Sequence, residues 1–439
     1  MNSSRKNLHR SFREVNIDPS WSFSEISRLE TTKWTHGYHR YPAKFIPQLV
    51  EKLFDEYVTS NHPHINDPFF GSGTTIVSAI SRGYIASGTD INGIAYLMTQ
   101  VKSNPIEPMY LEDKIRDFLT KIGPHATTPI FSEDSPLVKI PERNIERIDY
   151  WFPHKNKIEL GRILKIILNE SDLHVRRFFL IAFSHILKSC SIWLQRSTKP
   201  TRDKSKFPKN PYNVIKTHLM KMNKGNRMFY SKVPIFVREN IDDYLRISLN
   251  DARNQPLDDS SVDLVVSSSP YVTSYEYADL HQLSTLWLEF SDDYKEYRRD
   301  FIGTGYCHSS NRIPTSETAR EIISKLDQYP KTAKEICEYF CDMEEVFHET
   351  YRILKPDSRC CYIIGNTGLK GVEILNAEVF AESLAYCGFN IERVIKRAIP
   401  SKILPQTRDK KTGRFSSSRD ATSQAYPTEY IIVGAKSQH

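Results

Sequence analysis

The chain has 439 residues, 39% of them hydrophobic and 26% charged, with a formal net charge of +7. Such a length and balance fit a globular protein of two or three domains, or one large catalytic domain carrying an insertion. No apolar run reaches the roughly 18 residues needed to cross a bilayer, and Met1–Lys6 lacks the apolar core of a secretory signal, so a cytoplasmic protein with no membrane partner is expected.

Residues 1 to about 30 are polar and carry little pattern. The first informative segment runs His36-Gly37-Tyr38-His39-Arg40-Tyr41-Pro42-Ala43-Lys44-Phe45-Ile46-Pro47. It precedes Asp67-Pro68-Phe69-Phe70-Gly71-Ser72-Gly73-Thr74-Thr75, a glycine loop set between an expected strand and an expected helix. Gly71 and Gly73 permit a tight turn and close approach to a ligand, and Thr74 and Thr75 open a helix whose free amides face it. A phosphate loop would need a lysine at the helix start, and none is present. The loop therefore suits a ligand with carboxylate and amino groups, with Asp67 placed to pair with an amine. Asp90, 17 residues beyond Gly73 and ending the run Tyr84–Thr89, is placed to accept from ribose hydroxyls.

Residues 105 to 150 are Pro-rich and ambiguous. Two helical stretches follow, through Ile158 to Leu168 and Leu173 to Trp193. A basic loop comes next, in which Pro200, Pro208 and Pro211 are expected to exclude a long helix. Between Lys188 and Lys232 twelve Lys and Arg face one acid, Asp203, so the rest of the chain is net acidic. That concentration fits a polyanion binder, or equally a solvated basic loop. The α/β alternation resumes from 247, with strands at Val262–Val266, Cys360–Ile364 and Tyr430–Val433 and helices at Glu344–Leu354 and Ala377–Tyr386. An interrupted α/β unit of this kind implies an inserted module.

Ser268-Ser269-Pro270-Tyr271 directly follows the apolar run Val262–Val266. The nitrogen of an exocyclic amine on a nucleobase is a poor nucleophile, because its lone pair is delocalised into the ring. Acceptors for its two hydrogens free that lone pair. The Ser268 hydroxyl and the Ser269 carbonyl, held extended by Pro270, are two such acceptors. Tyr271 offers a ring on which an extruded base could stack. The cysteines (Cys190, Cys307, Cys337, Cys341, Cys360, Cys361, Cys387) form no CxxC pair, so neither a metal nor a disulfide is expected. No Pro-Cys dipeptide is present, which excludes methylation at cytosine carbon-5 by the usual thiolate motif.

Together the glycine loop and the Ser-Ser-Pro-Tyr segment resemble the amino-methylating DNA methyltransferases of restriction-modification type. The resemblance covers roughly residues 33–105 and 247–435. It implies an α/β fold: a Rossmann-like methyltransferase sheet with helices on both faces, plus a mostly helical, basic inserted region. It divides the chain into a cofactor half at 1–119, a target-recognition insertion at 120–250 and a catalytic half at 251–439. It implies S-adenosylmethionine as cofactor, double-stranded DNA as substrate and a cognate restriction endonuclease as functional partner. The segment before the glycine loop is similar to the family's His-Pro-Ala-x-Phe-Pro element, making Tyr41, Pro42 and Phe45 the cofactor wall, with plain core an equal reading for Phe45. Asp67, Phe69, Gly71, Ser72, Gly73, Thr74 and Asp90 complete the implied cofactor site. The family motif is commonly Ser-Pro-Pro-Tyr in cytosine-N4 enzymes and Asp- or Asn-Pro-Pro-Tyr or Phe in adenine-N6 enzymes. Ser268 thus favours cytosine N4, while Ser269 departs from the first proline. Adenine-N6 methylation, RNA-base methylation and a catalytically silent DNA-binding protein are the alternatives. Trp193, Arg196, Lys199, Arg202, Lys204 and Lys206 are the expected phosphate or base contacts. The basic stretch Lys402–Arg414 reads as a surface loop or a second backbone contact.

Overall fold

The computed structural model describes residues 2–41, 45–123, 135–195, 197, 200–272, 277–291, 293–306, 311–399, 407–408, 423–424 and 428–438. Seven strands form the main sheet: β1 His64–Asp67, β2 Ile85–Asp90, β3 Leu245–Leu249, β4 Val262–Ser268, β5 Leu354–Ile364, β6 Phe389–Ala398 and β7 Thr428–Lys436. Their order is β3-β2-β1-β4-β5-β7-β6. All neighbouring pairs are parallel except those of β7, which runs antiparallel to both β5 and β6. This is the doubly wound α/β sheet that the residues and the resemblance implied.

Alternation along the strands explains the layers. Leu264, Val266, Cys361, Ile363, Ile431 and Val433 face one core together with Leu53 and Ile76 from the helices Pro47–Tyr57 and Thr74–Ser81. Their neighbours Val265, Cys360, Tyr362, Ile364, Tyr430 and Ile432 face the other, with Phe347 and Phe380 from the helices Pro330–Ile353 and Asn376–Tyr386. The apolar stretch Leu264–Val266 reads as a buried strand because both faces are covered, while Asp263 is half-buried and paired with Lys355 at 2.8 Å.

The chain leaves the sheet after β2 and returns at β3. Between them lie the helices Gly93–Ser103, Pro108–Ile122, Ile145–Trp151, His154–Leu168, Leu173–Cys190 and Pro211–Lys232. Their core is continuous with the crossover helix, since Ile94, Leu97, Met98 and Val101 pack with Leu160, Phe178, Phe183 and Leu219. The expectation that prolines exclude a long helix after Lys206 is corrected here. Pro211 occupies the first turn of a 22-residue helix capped by the Asn210 side chain. A proline at that position loses no hydrogen bond, because its missing N–H would have been unpaired anyway. Pro108 starts the helix Pro108–Ile122 in the same way, which resolves part of the ambiguous 105–150 stretch.

Candidate active site

Ligands of open α/β sheets sit beyond the carboxyl ends of the strands, where the strand order reverses. Here the reversal lies between β1 and β4, and a cleft opens at that point. Residues ending four strands converge on it: Asp67 from β1, Asp90 from β2, Asn250 and Asp251 just beyond β3, and Ser268 from β4. Two segments nearly 200 residues apart in sequence thus share one cavity.

The glycine loop forms one wall. Gly71 and Gly73 adopt left-handed backbone, with φ of 46° and 74°. A Cβ on Gly73 would lie 2.6 Å from Thr99 Oγ1, and one on Gly71 would lie 3.1 Å from the Tyr41 hydroxyl. Glycine is required at both places for conformation and for space. The loop is held from behind: Gly71 N–H donates to Asp90 Oδ2 at 2.8 Å, and the buried Lys102 ammonium donates to the Ser72 carbonyl at 2.9 Å. Tyr41, Phe45, Asp67, Phe69, Gly71, Ser72, Thr74 and Asp90 all line the cleft. Gly73 does not; it caps the helix behind the wall. Phe45 is both wall and core, since it also packs against the cluster around Leu53. Pro42 lies outside the described residues.

Two carboxyls dominate the electrostatics. Burial pushes Asp67 up to about 6, although the Ser267 hydroxyl at 2.7 Å and the Phe69 N–H at 3.1 Å favour its charged form. Burial likewise pushes Asp90 up to about 7 against donation from the Asn92 and Gly71 amides, with Asp67 adding repulsion. Among the described residues, no lysine or arginine acts on either. Buried carboxyls without a cation suit a ligand that brings a cationic amine to Asp67 and hydroxyls to Asp90. S-Adenosylmethionine fits this chemistry.

Sequence reasoning missed part of the cleft. Asn250, Asp251, Ala252, Asp300, Phe301 and Ile302 also line it, offering polar edges and apolar faces for a flat heterocycle. Asn250 and Asp251 follow the carboxyl end of a strand, which was a readable signal. Asp300 to Ile302 meet the cleft only through tertiary folding, and no local pattern marked them.

The second wall carries the Ser-Ser-Pro-Tyr segment. Ser268 and Pro270 line the cleft, whereas Ser269 and Tyr271 do not. The Ser269 hydroxyl is buried with no partner among the described residues. Tyr271 is 8% exposed; its ring lies against Gly365 and its hydroxyl donates to Glu429 Oε1 at 3.2 Å. The expectation of an open stacking ring at Tyr271 is corrected accordingly. The backbone is gripped from behind as well, with the Tyr339 hydroxyl donating to the Pro270 carbonyl at 2.8 Å. His39 is structural, its ring bonded to the Arg40 carbonyl and the Ser184 hydroxyl, both at 2.9 Å.

The expected DNA contacts are scattered. Trp193 is 2% exposed and stacks on Trp151 with ring centroids 5.1 Å apart, so its assignment to DNA is corrected to core packing. Truncating it to alanine is expected to cost about 3–5 kcal/mol of stability, seen as a lower melting temperature. A surface contact would leave melting unchanged. Lys206 is half-buried, its ammonium donating to the Lys188 and Trp193 carbonyls, both at 2.7 Å. Arg202, over the Tyr150 ring at 4.2 Å, and Lys204 are exposed. Arg196 and Lys199 lie outside the described residues, as does Lys402–Arg414 apart from Thr407 and Arg408. Among the described residues no cluster of His, Cys, Asp and Glu could hold a metal ion, and no helix is long and apolar enough to cross a membrane.

Comparison with known proteins agrees with this geometry. The family N6_N4_Mtase, described as DNA methylase, matches residues 2–99. The type II methyltransferase M.MvaI of Kocuria varians is 30% identical over 406 residues, covering 85% of this chain and 86% of its own. M.BsoBI of Geobacillus stearothermophilus is 20% identical over 398 residues, covering 80% and 77%. M.MjaII of Methanocaldococcus jannaschii is 32% identical over a shorter 157 residues, covering 34% of this chain and 28% of its own. With its donor cleft and strand-end serine in place, the chain belongs to the S-adenosylmethionine-dependent DNA amino-methyltransferases of restriction-modification type.

Proposed function

We propose that this protein methylates the exocyclic N4 of cytosine within a specific double-stranded DNA sequence, protecting host DNA beside a cognate restriction endonuclease. The observation that carries the choice of base is Ser268, a hydroxyl rather than a carboxylate, on the cleft that also holds Asp67 and Asp90. When bound, S-adenosylmethionine supplies a methyl group already activated on its sulfonium. The chain's own task is then alignment and acceptance of hydrogen bonds, with no covalent nucleophile. Asp67 holds the cofactor amine, Asp90 the ribose, and Tyr41 and Phe45 close the wall. The Ser268 oxygen and the Ser269 carbonyl accept the two amino hydrogens, leaving the nitrogen lone pair directed at the methyl carbon. Stacking on Tyr271 would require its ring to leave Gly365 and Glu429.

Adenine N6 is the second reading, since a hydroxyl and a carbonyl accept equally well from its amine. The segment 120–250 is read as the target-recognition region, with Arg202 and Lys204 as phosphate contacts and the cytoplasm as its compartment. The test is direct. Unmethylated DNA is incubated with the protein and isotope-labelled cofactor, digested to nucleosides and resolved by mass spectrometry. Labelled N4-methylcytosine is the expected product. Labelled N6-methyladenine would transfer the assignment to the second reading.

A further inference from the structure

We propose that Phe207 is a wedge that enters the base stack of duplex DNA and fills the gap left by the extruded nucleotide. This rests on reading the protein as a methyltransferase of double-stranded DNA. Phe207 is 93% exposed, more than any other large apolar side chain among the described residues. Single exposed apolar residues are ordinary on protein surfaces. Three further observations set this one apart.

First, the segment presenting it is built rather than loose. Trp193 and Arg202 form a β-bridge, Leu194 N–H donates to the Thr201 carbonyl at 2.8 Å, and Asp203 N–H donates to the Ile192 carbonyl at 2.8 Å. On one side of Phe207 the Lys206 ammonium is tied to two carbonyls. On the other, Lys209 N–H donates to the Ser189 carbonyl at 3.0 Å. Pro208 also biases Phe207 toward extended backbone. A fixed frame that holds a phenyl ring out in water gains nothing for its own fold.

Second, the surroundings are cationic. Arg202, Lys204 and Lys209 are exposed, and Asp203, the one acid between Lys188 and Lys232, is engaged by the Ser205 amide and hydroxyl at 3.1 and 2.6 Å. An apolar ring flanked along the chain by the exposed cations Arg202, Lys204 and Lys209, which form no ion pair with another described residue, complements a polyanion with an apolar interior, which is what a base stack between phosphates is.

Third, the frame connects to the cleft. Tyr41 lines the cavity, and two residues before it His39 bonds Ser184. Ser184 lies one helical turn, about 6 Å, from Lys188, whose carbonyl holds Lys206. Extruding a base leaves a hole in the stack, and inserted apolar side chains are a general means of propping such distortions.

The test compares Phe207→Ala with the natural protein, using tritiated S-adenosylmethionine and unmethylated bacteriophage DNA, native or heat-denatured. On native duplex the variant is expected to lose about 10-fold or more in kcat/KM. On denatured DNA, where nothing needs propping, the two proteins are expected to agree within about twofold. Equal rates on native duplex would overturn the proposal, as would an equal loss on both substrates. Melting temperature and cofactor affinity are read alongside, and a fall in either would also count against a wedge. If the natural protein itself labelled neither DNA, the methyltransferase reading would fail instead.

Discussion

Replacing Ser268 with alanine is expected to lower kcat by about 100-fold, the usual consequence of removing one preorganised group from a reacting centre. Cofactor affinity should stay within about twofold, because the loss is confined to the transition state. Ser268 ends β4 on the cleft, while the residue before it, Ser267, donates inward to Asp67. Alternation along the strand separates the two roles, one serine for the base and one for the donor wall. Ser267→Ala should therefore show the opposite split, weakening the cofactor more than the chemical step. Radiolabel transfer under single-turnover conditions, with calorimetric binding, separates the two. A Ser268→Ala variant with unchanged single-turnover rate would refute the role given to its hydroxyl.

The second large effect is a pH dependence with two opposite signs. Asp67 and Asp90 both lie above their ordinary value of 3.8, at about 6 and about 7, because burial penalises their charge. Between roughly pH 4 and 7 the folded, ligand-free chain therefore retains protons that the unfolded chain has released. Its stability should fall as pH rises through that window. Cofactor binding should do the reverse, since a cationic amine and ribose hydroxyls favour the ionised carboxylates. Affinity should weaken by about tenfold between pH 7 and pH 5 through Asp67 alone, each pKa unit being worth about 1.4 kcal/mol. Binding near pH 6 should release protons, measured by calorimetry in buffers of different ionisation enthalpy. Asp90→Ala should weaken binding by about 100-fold, since it removes charge-assisted acceptors and frees the Gly71 amide from its anchor. Binding independent of pH with no proton release would show that these carboxyls do not face the cofactor.

Legibility in the sequence followed how local the cause was. The glycine loop, with its positive φ values and short strand-to-helix turn, was readable because the residue types themselves dictate the backbone. The strand before Ser269 was readable from Val262, Leu264, Val265 and Val266, four apolar residues of five, interrupted only by Asp263. What failed depended on distant partners. Trp193 sits in a basic stretch yet packs on Trp151, because its neighbours in space come from another helix. Tyr271 follows the motif but is drawn down by Gly365 and Glu429, which lie about 90 to 160 residues further along the chain. Pro211 was read as a breaker when its place in the first helical turn makes it a starter. The cleft wall at Asp300 to Ile302 carried no local signal at all.

Asp67 and Ser267 are 200 positions apart, yet they are joined by one hydrogen bond across adjacent parallel strands. As the chain emerges from the ribosome, the donor loop is complete long before the strand that floors it exists. Closing so long a circuit is slow, so the site should mature late, after the helical block has condensed. Nascent chains halted near residue 250 would expose an uncovered β1 edge, and they are where aggregation should begin.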